Sequence, residues 1–339
     1  MFSKRYRIIL VICVIGIVLG VLAGLGFDRF SSSSVPISGN SLSLKEQNAY
    51  WTDQIRRLGP QAAINNFKKT YSEKDKNSHG YMHLFATLLY KRLGFEGIKY
   101  CDNTYASGCF HGFFIASLND QGEDSILKLG KECDKLFPGS SSGCQHGIGH
   151  GLLEYFGAQN IDKALGWCKK LSWNGKIMGC SSGVFMEYGH PVAVNDGTII
   201  GESPDFDPKD IFRPCSRITI YKESCYHELP DYLIRVFKYD YAQVGQICSK
   251  VQDSNYKKYC FLGIGYASLP YVDFNPETAI AACERMPDEA SQLLCRIGAS
   301  EIFADDKRTA LGDADSICEG LSDQDRAVCL NRYSTGIIR

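Results

Sequence analysis

The stretch NIDKALGWCKKLSWNGKIMGCSSGVFMEYG, residues 160–189, contains the pattern that determines the fold. Apolar residues recur at helical spacing on either side of a glycine-containing turn: Ile161, Ala164 and Leu165 before it, and Val184, Phe185 and Tyr188 after it. Cys168 lies late in the first helix and Cys180 at the start of the second, so the two cysteines would face each other across the turn. The stretch therefore predicts a helical hairpin, helix A followed by helix B, that a disulfide can close.

The same plan recurs along the chain with a period near 35 residues, which is typical of stacked helix pairs. Seven cysteine pairs mark it: 101/109, 133/144, 168/180, 215/225, 248/260, 283/295 and 318/329. NSHGYMH (77–83) fits the frame of helix B without a cysteine and adds an eighth unit. Pairing within each hairpin is the simplest of the many connectivities that these cysteines permit, and closing one such loop stabilises by roughly 3 kcal/mol. We expect an all-α domain of about eight hairpins, either an open right-handed superhelix or a closed α/α toroid.

This arrangement, with a cysteine ending helix A and C…G…G opening helix B, resembles the secreted cysteine-rich Sel1-like repeat proteins, which are related to the tetratricopeptide superhelix. The resemblance covers residues 95–335 as a pattern. It implies a curved, all-helical array with one disulfide in each hairpin and a surface for binding another protein. The chain departs from that family in the spacing of its paired cysteines, which is mostly wider than the family uses, and in its histidines.

The N-terminal segment predicts a membrane anchor. Residues 8–26 contain no charge and are long enough to cross the ~30 Å hydrocarbon core of a bilayer as a helix. This stretch is preceded by the basic residues Lys4, Arg5 and Arg7. The positive-inside rule therefore places the N-terminus in the cytoplasm. A cleaved signal peptide is the alternative, because Gly24 and Gly26 are small enough to offer a cleavage site.

The chain is thus divided into a cytoplasmic stub (1–7), a transmembrane anchor (8–26), a flexible Ser-rich tether (27–48) and an extracytoplasmic repeat domain (49–339). Apart from Cys13 in the anchor, all of the 15 cysteines belong to the last part, which indicates an oxidising compartment. The net charge of −1, without long blocks of one sign, argues against nucleic acid as a partner. The expected partners are the membrane and another extracytoplasmic protein.

The histidines follow the repeat. We call the second residue after the cysteine of helix B the histidine register, because it is His111, His146 and His227 in three units. NSHGYMH places His79 at the same position, and two units carry a further histidine four residues on, on the same helix face. Two imidazoles at this spacing can chelate a transition metal such as Zn. The predicted metal ligands are His79, His83, His111, His146, His150 and His190; His227 is set apart because Pro230 would distort its helix.

Two functions from different classes remain open at this point. The first is a His-lined metal site for binding or hydrolytic chemistry, in which Glu154 or Glu187 acts as the base and the long insertion at 191–214 covers the site. The second is a non-catalytic interaction scaffold in which the histidines are structural, each one capping its helix or bonding a nearby carbonyl. The sequence contains no HExxH, GxSxG, phosphate-loop or CxxCH motif that would decide whether the chain is an enzyme.

Overall fold

The computed structural model describes residues 42–331, except 76, 140, 173–176, 190–192, 196–197, 201–205 and 307–308. Within this part of the chain, no helix is both long and apolar enough to cross a membrane. The predicted stub (1–7) and anchor (8–26) lie outside the described residues, as does His190.

Apart from two three-residue strands, the regular secondary structure of the described residues is helical. The helices are α1 (Leu44–Leu58), α2 (Pro60–Thr70), α3 (Ser78–Leu93), α4 (Gly108–Gln121), α5 (Ile126–Leu136), α6 (Ser142–Phe156), α7 (Ile161–Cys168), α8 (Cys180–Gly189), α9 (Lys222–Val236), α10 (Tyr241–Ser249), α11 (Ser254–Ser268), α12 (Pro276–Cys283), α13 (Glu289–Asp305), α14 (Asp313–Ser316) and α15 (Asp323–Leu330). Short 3-10 turns, such as Gly94–Tyr100 before α4, replace or extend some of the A helices. Helix α1 begins inside the stretch expected to be tether.

The B helices form a continuous inner layer. Helices α3, α4, α6, α8, α9, α11 and α13 each pack against the next one in this order. They are buried around most of their circumference, whereas an A helix such as α5 is buried along one face only. Every cysteine pair forms a disulfide within its own hairpin, as predicted, from Cys101–Cys109 to Cys318–Cys329.

Glycine permits the close approach of neighbouring B helices. A Cβ added to Gly183 of α8 would lie 2.0 Å from the carbonyl oxygen of His146 on α6, a distance no real side chain adopts. The same contact recurs further along, where a Cβ on Gly298 would lie 2.0 Å from the carbonyl oxygen of Leu262. Both glycines are the third residue after the cysteine of helix B, so the C-x-x-G pattern brings the helix backbones into direct contact.

The array curves back on itself. The Lys74 ammonium, just before α3, lies 5.6 Å from the centre of the Phe274 ring, in the turn after α11. Units far apart in sequence therefore meet. The insertion after α8 is not purely irregular: it contains the antiparallel strands β1 (Ala193–Asn195) and β2 (Thr198–Ile200), and β1 contacts α3 and α4.

Helix α9 differs from the expectation drawn from its proline. It runs from Lys222 to Val236 through Pro230 as one helix. Pro230 is buried, and the packing of α9 against α8 and α11 outweighs the single backbone hydrogen bond that proline removes.

Candidate metal centre

Five histidines from three consecutive B helices form one cluster. Helix α3 supplies His79 and His83, α4 supplies His111, and α6 supplies His146 and His150. Within His79/His83/His111, the candidate ligand atoms all lie within 4.8 Å of one another, and the same holds for His111/His146/His150. The stacking of the B helices thus brings together residues up to 71 positions apart, and His111 belongs to both groups.

The first pair is held by a backbone carbonyl. His79 places its Nδ1 2.6 Å from the carbonyl oxygen of Tyr105. Since a carbonyl only accepts, Nδ1 of His79 carries a proton, and in the neutral ring Nε2 carries the lone pair. This Nε2 faces Nε2 of His83 at 3.0 Å. The pair can share one proton between these two atoms, or direct both lone pairs at one ion.

The second pair repeats this arrangement with side-chain partners. His150 donates from Nδ1 to Oε2 of Glu187 at 2.7 Å, and His146 places Nδ1 2.7 Å from Oγ of Ser182. The two Nε2 atoms again lie 3.0 Å apart. A metal-bound histidine characteristically donates its other ring N–H to a carboxylate, carbonyl or similar acceptor, which fixes its tautomer and orientation. His79 in the first pair, and both histidines of the second pair, have outer partners of this kind.

His111 lies between the two pairs. Its ring centre is 5.2 Å from that of His79 and 5.3 Å from that of His83 on one side, and 5.2 Å from that of His146 on the other. It stacks on His150 with centres 3.9 Å apart and planes 26° apart. The ring is fully buried, and neither of its nitrogens has a hydrogen-bond partner among the described residues.

Burial lowers the pKa of two of these rings. Burial, and then the charges that His150 and His146 would carry, hold the pKa of His111 well below the usual value. Burial, with a smaller contribution from His79, lowers the pKa of His146 to about 4. Metal ions compete with protons for the same lone pairs, so the depressed pKa values leave these nitrogens ready to coordinate at neutral pH.

The donor set and its spacing suit a transition metal. Two nitrogens that each bind a tetrahedral Zn²⁺ at about 2.05 Å lie roughly 3.3 Å apart, close to the 3.0 Å between the Nε2 atoms of each pair. Neutral imidazole is a borderline-soft ligand that favours Zn, Cu, Ni or Fe over Ca or Mg. All the described cysteines are in disulfides, so the candidate ligands are nitrogen atoms.

The two predicted catalytic carboxylates have different positions. Glu187 is buried and accepts from His150, so it orients a candidate ligand. Glu154, one turn beyond His150 on α6, accepts a hydrogen bond of 3.4 Å from Asn119 of α4, and burial raises its pKa to about 7. The other oxygen of Glu154, Oε2, is buried and has no hydrogen-bond partner among the described residues. His227 belongs to neither group of three, and its Nδ1 lies 3.3 Å from Oε1 of Glu228.

Two residues that form hydrogen bonds with histidines of the register were not identified from the sequence. Ser182 occupies the histidine register of α8, which is why its hydroxyl reaches His146. Glu228 stands where five of the other cysteine-paired units have the glycine of C-x-x-G. Its carboxyl is buried, which raises its pKa against the opposing effect of hydrogen bonds with His227 and Ser182. The signal for Ser182 was its register position; the signal for Glu228 was the missing glycine.

Comparison with protein-family models, with curated proteins and with solved structures finds no match to this chain. The functional argument therefore depends on the histidine cluster itself.

Proposed function

We propose that this chain is a transition-metal-binding protein whose ion is held by the histidine cluster of α3, α4 and α6. The observation that carries the proposal is the state of His111. A neutral imidazole always has one N–H donor and one lone pair, and leaving either unpartnered in a buried position costs about 1–3 kcal/mol. Both are unpartnered here among the described residues. An ion at the centre of the cluster gives a nitrogen of His111 the partner it lacks.

The proposal favours binding over hydrolysis. A hydrolytic site needs a base directed at bound water and room for a substrate. Glu187 is engaged with His150, one oxygen of Glu154 bonds Asn119 while the other is buried, and three of the five rings are buried. His79 and His146 are half-buried, so the ion would enter from their side. We place the domain outside the cytoplasm, anchored by residues 8–26, in keeping with the disulfides.

The test is metal analysis of the purified, oxidised full chain after incubation with Zn²⁺ and dialysis. We expect at least one bound ion per chain in the wild type and a loss of most of the bound metal in His111→Leu. The matched control is His227→Leu, because His227 holds the same register outside the cluster and the next unit carries Leu262 there.

A folded wild-type chain that retains no Zn²⁺, Cu²⁺ or Ni²⁺ would overturn the proposal. The scaffold function that the Sel1-like resemblance implies would then be the better account, with the histidines serving only the packing. Equal metal loss in the two variants, both still folded by circular dichroism, would also contradict the proposal, since it would show that the ion does not depend on the cluster.

A further inference from the structure

The cluster is made of two equivalent chelating pairs with one ring between them. Each pair lies on one helix at i, i+4 spacing, and in each the Nε2 atoms are 3.0 Å apart: His79/His83 on α3 and His146/His150 on α6. Helix α4 packs between these two helices and carries His111 alone. Among the described residues, each pair forms a group of three with His111.

We propose that the cluster binds two transition-metal ions, bridged by His111 through its two ring nitrogens. This inference rests on the proposed function and adds the number of ions and the role of one residue. A single ion would bind one nitrogen of His111 and leave the other buried and unpartnered. Two ions, one beside each pair, give both nitrogens a partner, and each ion then has three histidine ligands.

The proton balance of the bridge is simple. A neutral His111 carries one N–H proton; the first ion binds the nitrogen with the lone pair, and the second ion displaces the proton from the other nitrogen to solvent. The bridging ring is then an imidazolate with one negative charge. Together with the carboxylate of Glu187, which accepts from His150, it offsets two of the four positive charges of two divalent ions. No oxidant or reductant takes part.

The proposed bridge requires that the ring of His111 be suitably oriented towards the histidines of both pairs. The rings of His111 and His150 are stacked with planes 26° apart, so their lone pairs lie in nearly parallel, offset planes and do not converge on one point between the rings. The three rings of the first group are already edge-on, at 61°, 74° and 88°. The first ion should therefore bind beside His79 and His83, and the second should bind after the His111 and His150 rings tilt apart.

The experiment titrates the full, oxidised chain with Cu²⁺ and follows metal content and the low-temperature EPR signal. We expect two ions per chain. One equivalent should give a full Cu²⁺ signal, and the second should make the signal fall well below that of two independent ions, because an imidazolate couples the two spins. His83→Ala and His150→Ala should each bind a single ion with an uncoupled signal, and His227→Leu should behave as the wild type.

The outcomes separate this inference from the proposed function. One ion per chain, lost in His111→Leu, would overturn the bridge and keep the metal site. Two ions with additive signals, or two ions retained in His111→Leu, would overturn the bridging role of His111. No bound ion in a folded chain would overturn both proposals.

Discussion

Replacing Glu187 with glutamine tests how the protein tunes its candidate ligands. In the structure, Oε2 of Glu187 accepts from Nδ1 of His150 at 2.7 Å, within the range of a charge-assisted hydrogen bond, and each side chain is 3% exposed. Water therefore has little access to replace the carboxylate. Glutamine keeps an oxygen acceptor and nearly the same shape but removes the negative charge.

The expected loss follows from the role of such outer partners. Substituting a residue that orients a metal-bound histidine typically weakens metal affinity about 10- to 100-fold, which corresponds to roughly 1.4–2.7 kcal/mol. In Glu187→Gln, the charge that strengthens the basicity of His150 and offsets the ion is lost, while the geometry is retained. The loss should therefore fall within this range and should affect the ion beside His146 and His150.

The assay is competition for Zn²⁺ against a chromophoric chelator at neutral pH, with the wild-type chain as the reference. The matched control is Glu154→Gln, a carboxyl on the helix that carries His146 and His150, whose hydrogen-bond partner is Asn119. We expect no change in zinc affinity for the control. Equal affinity of Glu187→Gln and the wild type, or an equal loss in both variants, would refute the orienting role of Glu187.

Three further predictions concern the scaffold and the access to the site. Gly183→Ala should destabilise the fold by about 1–3 kcal/mol or more, since its Cβ would meet a backbone carbonyl oxygen at 2.0 Å. Gly166→Ala in α7, where an added Cβ would have nothing within 4 Å, should stabilise the fold by roughly 0.5–1 kcal/mol. Denaturant unfolding measures both changes, and equal effects would contradict the glycine argument. The metal-free chain should lose stability as the pH falls from 6.5 towards 4. In this window the unfolded chain takes up a proton at His146, whereas the folded chain, in which the pKa of His146 is about 4, does not. A denaturation midpoint that is independent of pH between 6.5 and 4 would contradict this prediction. Shortening the insertion at 191–214 should speed the transfer of bound metal to a chelator without unfolding the chain, because β1 contacts the helices that carry three of the candidate ligands. An unchanged transfer rate would show that the insertion does not cover the site.

The sequence was sufficient to predict the elements of the fold and most of the candidate site. The cysteine period identified the hairpins and their disulfides, and i, i+4 spacing together with the stacking of B helices placed five histidines side by side. These features depend on local geometry that repeats, which a single sequence displays directly.

The remaining features depend on contacts between units. The curvature that brings Lys74 to Phe274 is the sum of small rotations between successive hairpins, and no residue pattern states their size. The partner of His150 is Glu187, 37 residues away, which follows from the rotation of α8 about its axis and not from its composition. The helical path through Pro230 was mispredicted for a similar reason, because neighbouring helices outweigh a local preference.

The C-terminal repeats supply the argument against purely structural histidines. In one C-terminal unit the histidine register holds Leu262. The C-x-x-G glycine of the next unit, Gly298, approaches the carbonyl oxygen of Leu262 as closely as Gly183 approaches that of His146, since an added Cβ would lie 2.0 Å away in both cases. The backbone contact between B helices is therefore the same whether the register residue is polar or apolar. Leucine there buries apolar surface at no cost in unpartnered groups, whereas His111 leaves two buried nitrogens without a partner among the described residues. Because the same backbone contact forms without an imidazole, the concentration of histidines on α3, α4 and α6 supports the proposed metal site.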